Sequence, residues 1–169
     1  DVMHDAQCMA GMAFSNALLG IVHSMAHKTG AAFEDFGAHI IHGAANAMYL
    51  PKVIAFNAKN PEALKRYGVI ADYMKLGGTS DEEKVQLLIK YLRGMNDELN
   101  IPHSINHYGK DSYPTEQGFV PENVFKDRLA DIAKNAIADA CTGSNPRQPS
   151  QEEMEKLLTA CYFDLDVKF

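Results

Sequence analysis

Residues 23–30 read HSMAHKTG and residues 39–43 read HIIHG, so four histidines, His23, His27, His39 and His42, fall within twenty positions of an alanine- and methionine-rich stretch. His23 and His27 stand four apart. On a helix that spacing projects both imidazoles from one face, a standard way to offer nitrogen ligands to a divalent metal. His39 and His42 follow a loop and sit at the start of a second helix, where further ligands could approach. The residues alone leave two readings open: hydrogen-bonded imidazoles inside a helical core, or part of a metal site. A catalytic divalent site usually has an acidic oxygen ligand or a third nitrogen. Glu34 and Asp35 lie in the intervening loop, and spacing does not fix their direction. His4, with Asp1 or Asp5, reads as surface.

Outward from this stretch the chain keeps a helical rhythm. Val2 to Lys28 reads as one long helix, apolar nearly all round (Met3, Cys8, Met12, Leu18, Leu19, Val22, Met25) and rich in small residues, which predicts burial on most sides. Thr29-Gly30 is a plausible stop. A second helix is expected from His42 to about Ala58, kinked or split at Pro51, which lacks a backbone donor. Asn60-Pro61 opens a third through Leu76, with proline at the favoured first position. Thr79 or Ser80, with Glu82 and Glu83 behind, caps a fourth whose apolar residues Val85, Leu88, Leu92, Met95 and Leu99 recur every three or four positions. Residues 103–121 are polar, with room for a short helix. Pro121 begins a helix through Ala140, Cys141–Ser150 is a loop, and Ser150 with Glu153 caps a last helix to about Tyr162. Period-two alternation is absent. The expected fold is all-α, a bundle-like domain of six to seven helices covering residues 1–169.

The 169 residues, 46% hydrophobic and 22% charged, suffice for one core. A net charge of −6 with signs mixed along the chain argues against a nucleic-acid or anionic-membrane partner. No apolar run approaches the roughly 20 residues a membrane-spanning helix needs. Cys8, Cys141 and Cys161 are odd in number and share no CxxC spacing, so they read as reduced thiols of a cytoplasmic protein. The methionines, Met9, Met12, Met25, Met48 and Met74 among them, read as core fillers. The chain opens at Asp1 already in helical rhythm, which reads as a piece of a longer protein.

The stretches GMAFSNALLGIVHSMAHKTGAAF (residues 11–33) and HIIHGAANAMYLP (39–51) resemble the helical domain of iron-dependent alcohol dehydrogenases. The likeness continues through RYGVIADYMKLGG (66–78), LNIPHSI (99–105) and CTGSNPRQPS (141–150). It is strongest with the bifunctional aldehyde–alcohol dehydrogenases, fermentative enzymes that reduce acetyl-CoA to ethanol. The resemblance implies an α/β dinucleotide-binding domain upstream and, in this chain, only the all-helical metal-binding half. It implies a metal held by an aspartate and three histidines, the aspartate and one histidine lying upstream in a D-x-x-x-H pattern. His23 and His42 match the remaining two ligands. His27 matches a histidine beside the metal and the nicotinamide, hence a catalytic, cofactor-contacting residue in a proton relay. His39 matches a histidine common in the bifunctional branch. The implied cofactors are Fe(II), with zinc as an alternative, and NAD; the implied substrate is a short aldehyde or alcohol, acetaldehyde first. Implied partners are the upstream domain and a homo-oligomer or filament, and a non-catalytic helical assembly module is the competing function. An unrelated helical metal-binding or hydrolase domain would need Glu34 or Asp35 as a ligand. Against the family pattern, Glu34–Ala38 reads as a five-residue insertion and Ile41 stands where proline is usual. If the insertion bulges outward, His42 stays in place; if not, His39 could substitute.

Overall fold

Three helix starts are written in local hydrogen bonds. The computed structural model describes residues 1–109 and 119–169, and in it the Asn60 side chain accepts the N–H groups of Glu62 and Ala63 ahead of α4 (Pro61–Tyr73). Ser80 and Glu83 form a reciprocal capping box for α5 (Asp81–Glu98), and Ser150 and Glu153 do the same for α7 (Gln151–Phe163). Each box satisfies donors that a helix start otherwise leaves unpaired, worth about 1 kcal/mol apiece. The other helices are α1 (Val2–Ala17), α2 (Ile21–Ala31), α3 (His42–Asn57) and α6 (Glu122–Ile137). Short 3-10 helices span Glu34–Phe36 and Ala140–Ser144. Among the described residues there is no strand. The fold is all-α.

α2 packs against α3 and α6, α6 against α7, and α3 also reaches α5 and α7. The main core draws Ile21 and Met25 from α2, Met48 and Tyr49 from α3, Phe125 from α6 and Leu157 from α7. A second, smaller core joins Ile54 of α3 to Ala71, Val85 and Leu88 of the α4–α5 hairpin. α3 is therefore the common wall of both. Burying side chains of this size removes about 1.5–3 kcal/mol worth of apolar surface from water per residue. Tyr162 stacks on Phe125, ring centroids 4.2 Å apart, and donates its hydroxyl to the Val120 carbonyl at 2.8 Å.

The structure departs from the expected helices in three places. The single helix over Val2–Lys28 is two, α1 and α2, meeting at a bend of 106°. Leu18 takes φ 62 there, Ser144 Oγ donates to the Leu19 carbonyl, and the Ile21 N–H donates to Asn145 Oδ1 at 3.3 Å. These partners come from the far end of the chain, so tertiary hydrogen bonds outcompete local helix propagation. α1 contributes no buried residue. Met9 and Met12, expected in the core, are exposed along it with Val2 and Met3, whereas Met25 and Met48 are buried as expected.

Pro51 does not split α3, which runs unbroken from His42 to Asn57. Proline cannot donate to the carbonyl four residues back, that of Ala47. The buried Asn96 side chain, reaching across from α5, donates to that carbonyl instead at 2.9 Å. Cys141–Ser150, expected as a loop, begins inside the 3-10 helix Ala140–Ser144. In the polar stretch expected between His103 and Pro121, residues 103–109 form turns, and the short helix allowed for there falls partly on residues 110–118, outside the described residues.

Candidate metal centre

α2 and α3 pack so that the four-residue spacing of His23 and His27 meets the first residue of α3. The His23 and His42 rings lie 5.2 Å apart, centroid to centroid, the His27 and His42 rings are stacked at 5.3 Å, and His23 and His27 are 6.1 Å apart. Three imidazoles thus converge from positions nineteen residues apart in the chain. His23 is half-buried, and burial, followed by repulsion from His42 and His27, lowers its pKa from the ordinary value. The shift favours the neutral form, the state in which an imidazole nitrogen can offer a lone pair. His27 and His42 are exposed, so the cluster faces outward.

His39 does not join them. Its ring pairs with Glu34 at 3.3 Å, both side chains more than half exposed. Asp35 is likewise occupied elsewhere: Arg128 of α6 holds it bidentately at 2.6 and 2.7 Å and also donates to the Ala32 carbonyl. The segment Glu34–Ala38 therefore bulges outward as a 3-10 turn, ended by Gly37 at φ 72 and folded back so that the Ala38 N–H reaches the Phe33 carbonyl at 3.1 Å. Residues 34–37 are exposed, whereas Phe33, Ala38 and Ile40, which flank them, are buried. With the segment folded this way, His42 lies beside His23.

Residues that sequence reasoning missed hold the trio in place. The buried Tyr108 hydroxyl accepts the Ile41 N–H at 3.0 Å, fixing the chain where it enters α3. Asn46, one turn after His42, donates from Nδ2 to His42 Nε2 at 2.9 Å, while its buried Oδ1 has no partner among the described residues. Asp139, just ahead of the second 3-10 helix, lies beside His27: Oδ2 is 3.3 Å from His27 Nδ1 and 3.0 Å from Lys28 Nζ, and Oδ1 accepts the Cys141 N–H at 3.0 Å. Burial would raise this carboxyl, but its hydrogen bonds from Cys141, Lys28 and His27 outweigh that and hold it far below the usual carboxylate range. Ligand atoms of His27, Asp139 and Cys141 all lie within 4.8 Å of one another. Lys28 already neutralises the carboxylate, and burial and Asp139 raise the Cys141 thiol, keeping it protonated. That cluster is a hydrogen-bonded one.

The CTGSNPR segment anchors α2 from behind. Thr142 Oγ1 lies 2.7 Å from both Ser24 Oγ and the Ala136 carbonyl. Asn145 accepts from Ile21 N–H and exchanges hydrogen bonds with Asn57 at 2.8 and 3.2 Å. Arg147 sits 3.9 Å over the Phe56 ring and donates to the carbonyls of Phe56 and Phe169 and to Glu153. These contacts orient the loop.

A helical domain with these imidazoles has known relatives, and the family described as "Fe-containing alcohol dehydrogenase family, C-terminal" matches residues 1–162. The chain belongs to the iron-containing alcohol dehydrogenase family. An NADPH-dependent butanol dehydrogenase of Clostridium saccharobutylicum is 48% identical over 167 residues, which cover 99% of this chain and 39% of that protein. The bifunctional aldehyde-alcohol dehydrogenase of Escherichia coli K12 is 36% identical over 179 residues, covering 97% of this chain and 18% of the relative. The iron-containing alcohol dehydrogenase of Thermococcus thioreducens superposes with a TM-score of 0.71 at 29% identity, covering 95% of this chain and 36% of that one. An alcohol dehydrogenase from Oenococcus oeni gives a TM-score of 0.72 at 30% identity, covering 90% and 35%. The chain thus spans 39% or less of the length of these relatives.

Proposed function

We propose that this chain is the metal-binding half of a cytoplasmic, NAD-linked alcohol dehydrogenase that interconverts a short aldehyde, acetaldehyde first, and its alcohol. The observation that carries this reading is the convergence of His23 and His42 at 5.2 Å. The donor set fits a divalent ion. Burial favours the neutral form of His23, His42 Nε2 faces the Asn46 amide, and the buried Oδ1 of Asn46 is an acceptor without a partner among the described residues. Imidazole nitrogens suit ferrous iron, with zinc as the alternative.

His23 and His42 would hold the ion, and an upstream domain would contribute an aspartate, a third histidine and the nucleotide site. The ion, when bound, supplies Lewis-acid polarisation of the substrate oxygen. The chain's own residues do the rest on this side of the cleft. His27, exposed and stacked on His42, lies where it can take a proton from the alcohol or return it to the nascent alkoxide and meet the nicotinamide, because an imidazole exchanges protons near neutral pH. Tyr108 fixes the first turn of α3 so that His42 keeps its register. A nucleotide bound in the upstream domain would accept the hydride in alcohol oxidation and supply it in aldehyde reduction.

The test is metal analysis of the chain joined to a nucleotide-binding domain of its family. Wild type is expected to hold one iron per chain, and His23→Ala and His42→Ala to lose it together with alcohol-dependent NAD reduction. The 169-residue chain alone is expected to show no such activity. Full iron content in both variants, or robust activity of the chain by itself, would refute the assignment. A second reading, a helical assembly module, is favoured by α1, whose Val2, Met3, Met9, Met12 and Phe14 are all exposed, as is Leu18 just beyond its end. On that reading, adding the upstream part changes the size of the particle in solution without conferring iron or activity.

A further inference from the structure

We infer that Asp139 is the positioning residue of His27: its carboxylate selects the imidazole tautomer with the proton on Nδ1 and so leaves Nε2 as the acceptor on the opposite edge of the ring. The geometry is over-determined. Asp139 precedes the 3-10 helix Ala140–Ser144, and its Oδ1 is taken by the Cys141 N–H at 3.0 Å, a local cap that fixes the side-chain rotamer. With one oxygen pinned to the backbone, the other must face α2, where it meets His27 Nδ1 at 3.3 Å and Lys28 Nζ at 3.0 Å. The carboxylate is largely shielded, only 11% exposed. An ionised carboxylate can only accept, so the ring nitrogen beside it has to donate. Ring orientation and tautomer are then set by one residue that lies 112 positions away in sequence. Lys28 offsets the charge of the carboxylate, so Asp139 acts on the ring through direction more than through field. The 3-10 helix is itself held to α2 by Thr142 and Ser24, and to the bend ahead of α2 by Ser144 and the Leu19 carbonyl, which ties Asp139 to the element that carries His27.

This inference rests on the reading of His27 as a proton carrier, because a proton carrier needs its acceptor nitrogen free and aimed. It also differs from a purely structural cap. A cap needs only Oδ1 and the Cys141 N–H, and asparagine serves a 3-10 start as well as aspartate does. Asparagine at 139 can keep that bond while turning an N–H toward His27, which would demand the opposite tautomer.

The experiment reads the ring nitrogens of His27 by nitrogen-15 NMR of the 169-residue chain, at a pH where the imidazole is neutral. Wild type is expected to show the Nδ1–H form in roughly tenfold or greater excess, since a hydrogen bond to a charged acceptor is among the stronger ones. Asp139→Asn is expected to bring the Nε2–H form to equality or beyond, and Lys28→Met to leave the wild-type tautomer in place. In the chain joined to a nucleotide-binding domain, Asp139→Asn is expected to lower kcat by roughly 10- to 100-fold with little change in KM for the alcohol. A wild-type ring already in the Nε2–H form, or a tautomer unchanged in Asp139→Asn, overturns the inference. An inverted tautomer with undiminished kcat upholds the positioning of His27 and refutes its part in proton transfer.

Discussion

Asn96 should be worth far more to the fold beside Pro51 than beside any other residue. Its side chain is buried and donates to the Ala47 carbonyl, the acceptor that Pro51 cannot serve. In Asn96→Leu the γ-branched framework is kept and the donor is lost, leaving a buried carbonyl unpaired at a cost of about 1–3 kcal/mol. For a protein of this size each kcal/mol moves Tm by about 2–4 °C, so a 2 kcal/mol loss lowers Tm by about 4–8 °C. In a Pro51→Ala background residue 51 regains an N–H that can complete the helical bond to Ala47. There the same Asn96→Leu change should cost roughly 1–2 kcal/mol less. Chemical denaturation of the four proteins, followed by far-UV circular dichroism, gives the coupling directly. Distant, independent sites add to within about 0.5 kcal/mol. A coupling inside that limit would refute the account of how α3 passes Pro51 unbroken.

Two further outcomes follow from the same packing. Asp164, which burial would raise, is held at about 2 by Arg93 and Lys52 against an ordinary value of 3.8. Its depressed pKa means that the stability it contributes is present above about pH 4 and lost as the pH falls toward about 2. After allowance for solvent screening, that amounts to about 1–2 kcal/mol. The difference in unfolding free energy between wild type and Asp164→Asn should be constant above about pH 5 and shrink over the acidic window; a difference that stays constant to about pH 2 would contradict the ion pair. At the α1–α2 bend a methyl group on Gly20 would sit 2.9 Å from Asn145 Oδ1, and that carboxamide is locked by its bonds to Ile21, Asn57 and Arg147. Gly20→Ala should therefore lower stability by about 1–2 kcal/mol, and by much less in an Asn145→Ser background. Equal losses in both backgrounds would show that the close approach is not what requires glycine.

Part of the site could be read without coordinates. The spacing of His23 and His27 specifies a shared helical face, and the resemblance to the dehydrogenase family points to His42 as their companion. Spacing could not exclude His39, Glu34 or Asp35; only the outward bulge of the 3-10 turn and the grip of Arg128 on Asp35 remove them from the centre. Asp139 carried one faint signal, an aspartate two residues ahead of Cys141, the pattern of a local cap. Nothing in that pattern names His27.

By itself the sequence determined the all-α class and the starts of α4, α5 and α7, because caps and apolar periodicity act between residues at most a few positions apart. The tertiary structure alone decided that the first helix breaks at residues 18–20, that α3 survives Pro51, that α1 lies bare, and that Asp139 faces His27. Each of these outcomes except the bare α1 turns on a hydrogen-bond partner 49 to 125 residues distant. The bareness of α1 depends on which surfaces exist to cover it. Local pattern carries no record of either until the chain has packed.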